Sequence, residues 1–493
     1  MSKSYSFMSQ VFIFGLGIGV NRLLWLLALP VLSSFLIAED FGRIASLTVI
    51  GVVLRTIFGL GIFSSLGIVY FDKDTPEQRA KVIGSAVTFA ACGGVLLVLL
   101  STQFATSLAE RFLDNSDFHH LIILQSIAVA LQLISEPMLL RLQFDKQAIS
   151  YFFVAVALPI IGVPIMLILI AYFDFGVLGW CVGQLVNGAG QLILAAFILG
   201  KTRTISLGTF PFILQIIRFS LPLWPSVSLT YFMQYSGHYF LKELSNLEAL
   251  GLYSLGFSLG MVMNLFVSAF GTAWVPYFQS FQKQQNQATE KFSQIAVFYL
   301  CTLGGLVLLA FIFARPTVYL LMEPEFFDAY RVVGLIALAQ ALFAFWIVLQ
   351  PVLYFNKRVY LISLFQGLGA VCISLSSWFF VPIFGPEGAA YGSIAGGIFL
   401  ILIQIAYNAS QQENVCAYDW RRLAVSFVFT GIAIQSYRLF EQNNGIWASF
   451  GFGILCFVVL ALLFWFFILN NENKLLIKQY IRRKQQTAPE TKV

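Results

Sequence analysis

Charge is what this sequence has least of. Asp, Glu, Lys and Arg make up 11% of its 493 residues, where a soluble globular protein carries about a quarter, while 59% are hydrophobic and the mean hydropathy is +0.83. A water-soluble globular domain is therefore excluded. Histidine is scarce, with three residues, and no HExxH, CxxC or GxxxxGK[ST] pattern occurs, so neither a metal hydrolase nor a chain with its own ATPase is supported. The six cysteines form no paired framework: Cys92, Cys181, Cys301, Cys372 and Cys456 lie inside apolar runs and Cys416 in a loop, as small core residues do. Long polar segments between the apolar runs are missing too, which leaves no place for an extramembrane catalytic domain. The GLGIG of Gly15 to Gly19 sits in an apolar run with no strand before it and is not a nucleotide loop.

What is present is a succession of apolar runs of more than 20 residues, each long enough to cross a bilayer as a helix. They are continuous rather than alternating, which argues against a closed β-barrel. Bounded by charges, Pro and Gly, fourteen spans are expected, giving an all-α polytopic membrane protein. The first run is too long for a signal peptide and has no small-residue cleavage site, so it should remain as a helix. With a cytoplasmic N-terminus, 21 basic residues fall on inner segments and 6 on outer ones, with Arg22 and Arg55 left inside the membrane. The positive-inside rule thus places both termini in the cytoplasm, and a multi-pass protein of the cytoplasmic (inner) membrane is expected. The basic tail NENKLLIKQYIRRKQQTAPETKV reads as an anchor on anionic lipid.

The chain also resembles itself. At an offset of 209 residues, Glu39 matches Glu248, Gly42 matches Gly251, Phe118 matches Phe327, and Gly176, Gly179, Gly183 and Gly188 match Gly385, Gly388, Gly392 and Gly397. The spacing predicts a duplicated six-helix unit. Residues 1–208 and 209–417 should form two parallel lobes around a central cavity, followed by two helices and the tail over 418–493. Rocking of such lobes permits alternating access.

Polar residues inside the spans mark the candidate site. Arg22, in the first span, and Arg55, in the second, stand near mid-membrane, where a guanidinium is tolerated mainly beside a polar cavity or a partner. Thr48, Gly51, Arg55 and Gly59 share one stripe, small or polar throughout. Two deep cations suggest an anion. In the fourth span Gln125, Gln132 and Glu136 recur at spacings of seven and four, and Pro137 offers a kink that turns Glu136 toward Arg22 or Arg55. Glu136, with Gln132, is either half of a structural ion pair or a gating and coupling carboxylate. Gln184, Asn187 and Gln191 share a face of the sixth span, where hydrogen bonding between helices is the expected role. Trp224, Ser228, Tyr231, Tyr235 and His238 form a stripe on the seventh span, with Pro222 and Pro225 expected to break that helix near its inner end. Aromatic and hydroxyl groups together suit a sugar, and Asn264 with Ser268 adds a polar face on the eighth span.

These features resemble the MOP flippase superfamily, in its polysaccharide transporter branch that includes Wzx-type O-antigen flippases. The residues that carry the likeness are GRIASL after Glu39-Asp40, ALGLYSLGFSLG of Ala249 to Gly260 followed by AWVPYFQSF, LRLQFDK of Leu140 to Lys146, and FGPEGAAYGS of Phe384 to Ser393. The resemblance implies a transporter, not an enzyme, that moves an undecaprenyl-diphosphate-linked oligosaccharide between leaflets for surface polysaccharide synthesis. It implies the diphosphate on Arg22 and Arg55, the glycan near Trp224, Tyr231, Tyr235, His238 and Asn264, and the polyprenyl tail in lipid. Implied partners are membrane lipid and the polymerase and chain-length proteins of that pathway, with no nucleic acid, no metal and no cofactor beyond a coupling H+ or Na+. Lipid II flippases carry a further arginine on the eighth helix, where this chain has Met263 and Asn264. A multidrug cation antiporter on the same fold would want an acidic cavity, against the sign seen here.

Overall fold

The computed structural model describes residues 7–201, 208–281, 285–411 and 418–468, with side chains except at 7–18, 21–22, 148, 157–158, 201 and 285–290. Cys416 and the basic tail lie outside the described residues. Helices in chain order are α1 (Phe7–Phe35), α2 (Ala38–Gly59), α3 (Ile62–Phe71), α4 (Pro76–Leu113), α5 (His119–Phe144), α6 (Ala148–Phe152), α7 (Leu158–Ala171), α8 (Gly176–Lys201), α9 (Phe210–Leu244) and α10 (Leu247–Gly260). They continue as α11 (Met263–Ser280), α12 (Gln285–Leu321), α13 (Tyr330–Val348), α14 (Pro351–Phe355), α15 (Tyr360–Phe384), α16 (Pro386–Ser410), α17 (Trp420–Asn443) and α18 (Ile446–Leu463). Among the described residues there is no strand, and twelve helical segments are long and apolar enough to cross a membrane. The pair α10–α11, bent by 46° at its break, makes a thirteenth if counted as one span. The first expected span is the 29-residue helix α1.

The chain divides into two compact units. The first comprises Met1–Leu255, Leu321–Ala329 and Ile373–Gly392; the second comprises Gly256–Leu320, Tyr330–Cys372 and Ser393–Val493.

In the first unit the helix ends explain the path of the chain. Thr75 starts α4, its hydroxyl accepting the Gln78 N–H at 3.3 Å with Pro76 following at the first helical position. The expected second span is broken: Leu60 (φ 45°) and Gly61 (φ 66°) both take left-handed conformations between α2 and α3. Glycine adopts that geometry without a steric penalty, whereas leucine gives up about 1–2 kcal/mol. By contrast α9 runs unbroken through Pro222 and Pro225, correcting the expected break there. Proline costs a transmembrane helix one hydrogen bond, which neighbouring groups in a packed bundle can offset.

The N-terminal end of α2 crosses α10 backbone against backbone. Gly42 lies on the Leu247 carbonyl and Gly251 on the Ala38 carbonyl, so closely that a Cβ at either glycine would overlap the facing backbone. The contact is reciprocal, since Ala38 and Leu247 are separated by the same 209 residues as Gly42 and Gly251. Ile37 gives α2 no side-chain cap, and the Glu325 carboxylate instead accepts the Ala38 N–H at 3.0 Å. Beside it Ser34 donates to Glu323 at 3.1 Å and Phe41 meets the Phe326 ring edge-on at 5.2 Å.

At the other end of the bundle α5 closes in a left-handed turn. The Gln147 N–H reaches the Leu142 carbonyl at 2.8 Å with Lys146 at φ 56°, while Tyr70 and Arg141 hold Asp145 at 2.5 and 2.6 Å.

The second unit repeats that turn in its own chain, with Arg358 N–H on the Leu353 carbonyl at 2.8 Å and Lys357 at φ 55°. Its interior is rich in aromatic contacts. Phe270 stacks on Tyr299 at 3.6 Å, Trp274 meets Phe292 at 5.3 Å, and Phe278 meets Tyr354 at 5.0 Å. Arg315 caps the end of α17, donating to the Glu441 and Asn444 carbonyls at 3.2 and 3.1 Å.

Candidate functional site: a charged cavity in the first unit

The small stripe of α2 lets α5 approach closely. Gly51 lies under Gln125 and Val129, and Gly59 under Leu133. That approach brings the side chain of Arg55 onto Glu136, to which its guanidinium donates a hydrogen bond and with which it forms an ion pair. The Phe63 ring lies 6.0 Å from the guanidinium, and the phenols of Tyr231 and Tyr235 on α9 are its other electrostatic neighbours. Arg55 keeps 39% and Glu136 23% of its side chain accessible, so the pair is open on one side rather than sealed.

What it opens onto is a cavity of about 340 Å³ walled by α5, α8 and the span formed by α6 and α7. Arg55, Gln132, Glu136, Gln143, Asn187 and Gln191 supply its polar lining. Tyr151, Ala155 and Pro159 line the opposite wall, on and beside a π-helical turn at Phe153–Ala157. Such turns loosen the backbone ladder and are frequent at functional sites. Helix α1 packs along α6 and α7, which places the backbone of Arg22 on a neighbouring helix; the Arg22 side chain lies outside the described residues.

The break between α2 and α3 is held from α9. It leaves the last carbonyls of α2 without helical partners, and Trp224 donates its Nε1–H to one of them, Thr56 O, at 2.8 Å. Gly61 fits against the same residue: a Cβ there would stand 3.3 Å from the Trp224 Cα.

The expected aromatic stripe thus divides. Tyr231 and Tyr235 lie near Arg55, Trp224 commits its polar atom to the helix end, and His238 is buried with its ring 5.0 Å from Tyr253 and 5.5 Å from Tyr235. Asn264 belongs to α11 of the second unit, where its Oδ1 accepts the Ser268 hydroxyl at 3.2 Å. Of the sixth-span amides, Gln191 bonds between helices, accepting from Ser135 at 3.0 Å, whereas Asn187 faces the cavity. Gln143, Tyr151 and Pro159 complete a lining that the sequence reading passed over. Gln143 was within reach of it, since 125, 132, 136 and 143 continue one helical stripe.

The model of a family described as polysaccharide biosynthesis protein matches residues 7–282. No curated protein matches the chain. Among solved structures, the lipid II flippase MurJ in an inward closed conformation superposes with a TM-score of 0.70 at 13% identity, over 92% of this chain and 99% of its own. A multidrug resistance MATE family transporter of the MOP superfamily, inward-facing, gives 0.64 at 14% identity over 82% and 95%. The Vibrio cholerae MATE transporter VcmN, in its bent form, gives 0.52 at 14% identity over 82% and 98%. At these identities the likeness is one of fold.

Proposed function

Given that the chain belongs to the polysaccharide biosynthesis protein family, we propose that it is a flippase for a polyprenyl-diphosphate-linked oligosaccharide, feeding surface polysaccharide synthesis. The observation that carries this reading is Arg55: a cation fixed at mid-span, paired with Glu136, yet open to a polar cavity. A diphosphate cannot enter lipid unaided, because stripping a charged group of water costs far more than any apolar contact returns. Arg55 offsets that cost when the diphosphate takes the place of the Glu136 carboxylate. Glu136 is then the resident counterion, holding Arg55 in place between turnovers, and its release couples the cycle to a cation or proton.

Arg22 completes the cationic site from α1, and the phenols of Tyr231 and Tyr235 contact the substrate beside Arg55. The lobes 1–208 and 209–417 rock to expose the site alternately, a duplication supported by the recurrent left-handed positions at Gly176 and Gly385 and at Lys146 and Lys357. The protein lies in the inner membrane, where a polyprenyl-diphosphate carrier is loaded, and its 21 inner against 6 outer basic residues support cytoplasmic termini.

The test is a gene replacement carrying Arg55→Gln, with membrane protein, lipid-linked oligosaccharide and surface glycan measured together. Intact repeat units should accumulate on the lipid carrier and surface glycan should fall to background at normal protein level. Near-normal export would overturn the assignment of Arg55. Unchanged lipid-linked pools with altered drug resistance would favour an antiporter on the same fold.

A further inference from the structure

We infer that the cavity beside Arg55 is a saccharide subsite, which holds the sugar joined directly to the diphosphate. The inference rests on the flippase reading and extends it from the phosphates to the first ring of the glycan.

Three properties of the lining lead to this ligand class. The first is the donor and acceptor pattern. Gln132, Gln143, Asn187 and Gln191 are primary amides, each presenting both a donor and an acceptor, which is what hydroxyl groups require. An anion site would instead gather donors alone. Gln132, Gln143 and Asn187 make no side-chain hydrogen bond among the described residues, and Gln191 commits only its Oε1, to Ser135. Amides left without partners inside a membrane span are costly, so this lining is built for a polar occupant or for water.

Charge is the second property. Among the described residues the lining holds one cation and one anion, Arg55 and Glu136, and they are paired with each other, so a second anion meets Glu136 and a second cation meets Arg55. A neutral polyol meets neither objection. Size is the third: about 340 Å³ lies at the small end of ligand sites, about 300–1,000 Å³, room for one or two rings and not for an oligosaccharide repeat. Leu139 and Pro159 supply an apolar wall for the C–H face of a pyranose. Since Arg55 belongs to the same lining, a diphosphate on its guanidinium delivers the attached ring here.

The experiment compares bare farnesyl diphosphate with farnesyl diphosphate joined to glucose, galactose or N-acetylglucosamine, binding to the purified full-length protein in detergent by native mass spectrometry. At least one glycosylated ligand should bind about tenfold tighter than the bare diphosphate, the scale of one or two neutral hydrogen bonds. In Asn187→Leu and in Gln132→Leu that ratio should collapse toward unity. In Arg55→Gln both ligand types should lose binding. The wild-type ratio needs no variant, so a misfolded substitution leaves the test intact. Equal binding of bare and glycosylated ligands by the wild type, or a ratio that survives both amide changes, overturns the sugar subsite while leaving the diphosphate reading standing. Failure of the wild type to bind either ligand overturns both.

Discussion

The two ends of α2 solve opposite problems with the same residue type. At its start, Gly42 and Gly251 remove side chains so that two backbones can touch, and the surrounding groups are satisfied by Glu325, Glu323 and the Phe41–Phe326 contact. Near its middle and end, Gly51 and Gly59 also admit a neighbour, but what they bring close is a charged pair, an open cavity and a broken helix. The first region is a packed joint whose value is in its fit. The second is under-satisfied within the protein, which is the usual mark of a place where something else binds.

The largest effect should come from breaking the joint. In Gly42→Ala the new Cβ would overlap the Leu247 carbonyl, and in Gly251→Ala the Ala38 carbonyl, so helices rather than side chains must move. Each should lose about 1–3 kcal/mol of stability, the range for overpacking, and the double variant should fail to accumulate. Gly271→Ala on α11, with no atom within 4 Å of the new methyl, should be neutral or better. Fluorescence-detected thermal unfolding of the three single variants decides it; equal melting temperatures would mean the crossing carries no stability.

The site end should respond the other way, with small stability changes and total loss of transport. Removing one partner of a sealed ion pair costs about 3–5 kcal/mol, but Arg55 and Glu136 are 39% and 23% accessible, so about 1–2 kcal/mol is expected for either Arg55→Gln or Glu136→Gln. The double variant should recover part of that loss, because no charge is then left alone. A thermal double-mutant cycle measures the coupling, and a cycle with no interaction energy would mean the pair is not formed in the membrane.

The same contrast explains what was legible beforehand. Continuous apolar runs announced a helical membrane protein, and the stripe Gln125, Gln132, Glu136 together with Arg55 announced a polar interior, because burial of charge in lipid is too costly to occur idly. Helical spacing and Pro137 point Glu136 toward Arg22 or Arg55 without choosing between them, and the pairing with Arg55 comes from the fold. Tertiary contacts were not legible. Nothing in the spacing of Trp224 says that its N–H reaches Thr56 O, or that His238 turns inward onto Tyr253. Helix breaks are not legible for a related reason: a proline forfeits one hydrogen bond that packing offsets, so α9 continues, whereas Gly59-Leu60-Gly61 offers the left-handed geometry that ends α2.

The smallest effect tests whether that break is held or merely permitted. Trp224→Phe keeps an aromatic ring on α9 and the backbone that faces Gly61, and removes the donor to Thr56 O, a bond of 2.8 Å in the half-buried wall between α2 and α9. A neutral hydrogen bond contributes about 1 kcal/mol net, so the melting temperature should fall by little. Amide exchange is the sharper readout: with Thr56 O released, residues at the α2–α3 break should exchange faster, while those at the Gly42 crossing should not change. If exchange at the break is unaltered, its carbonyls are served by cavity water, and Trp224 is there for its ring alone.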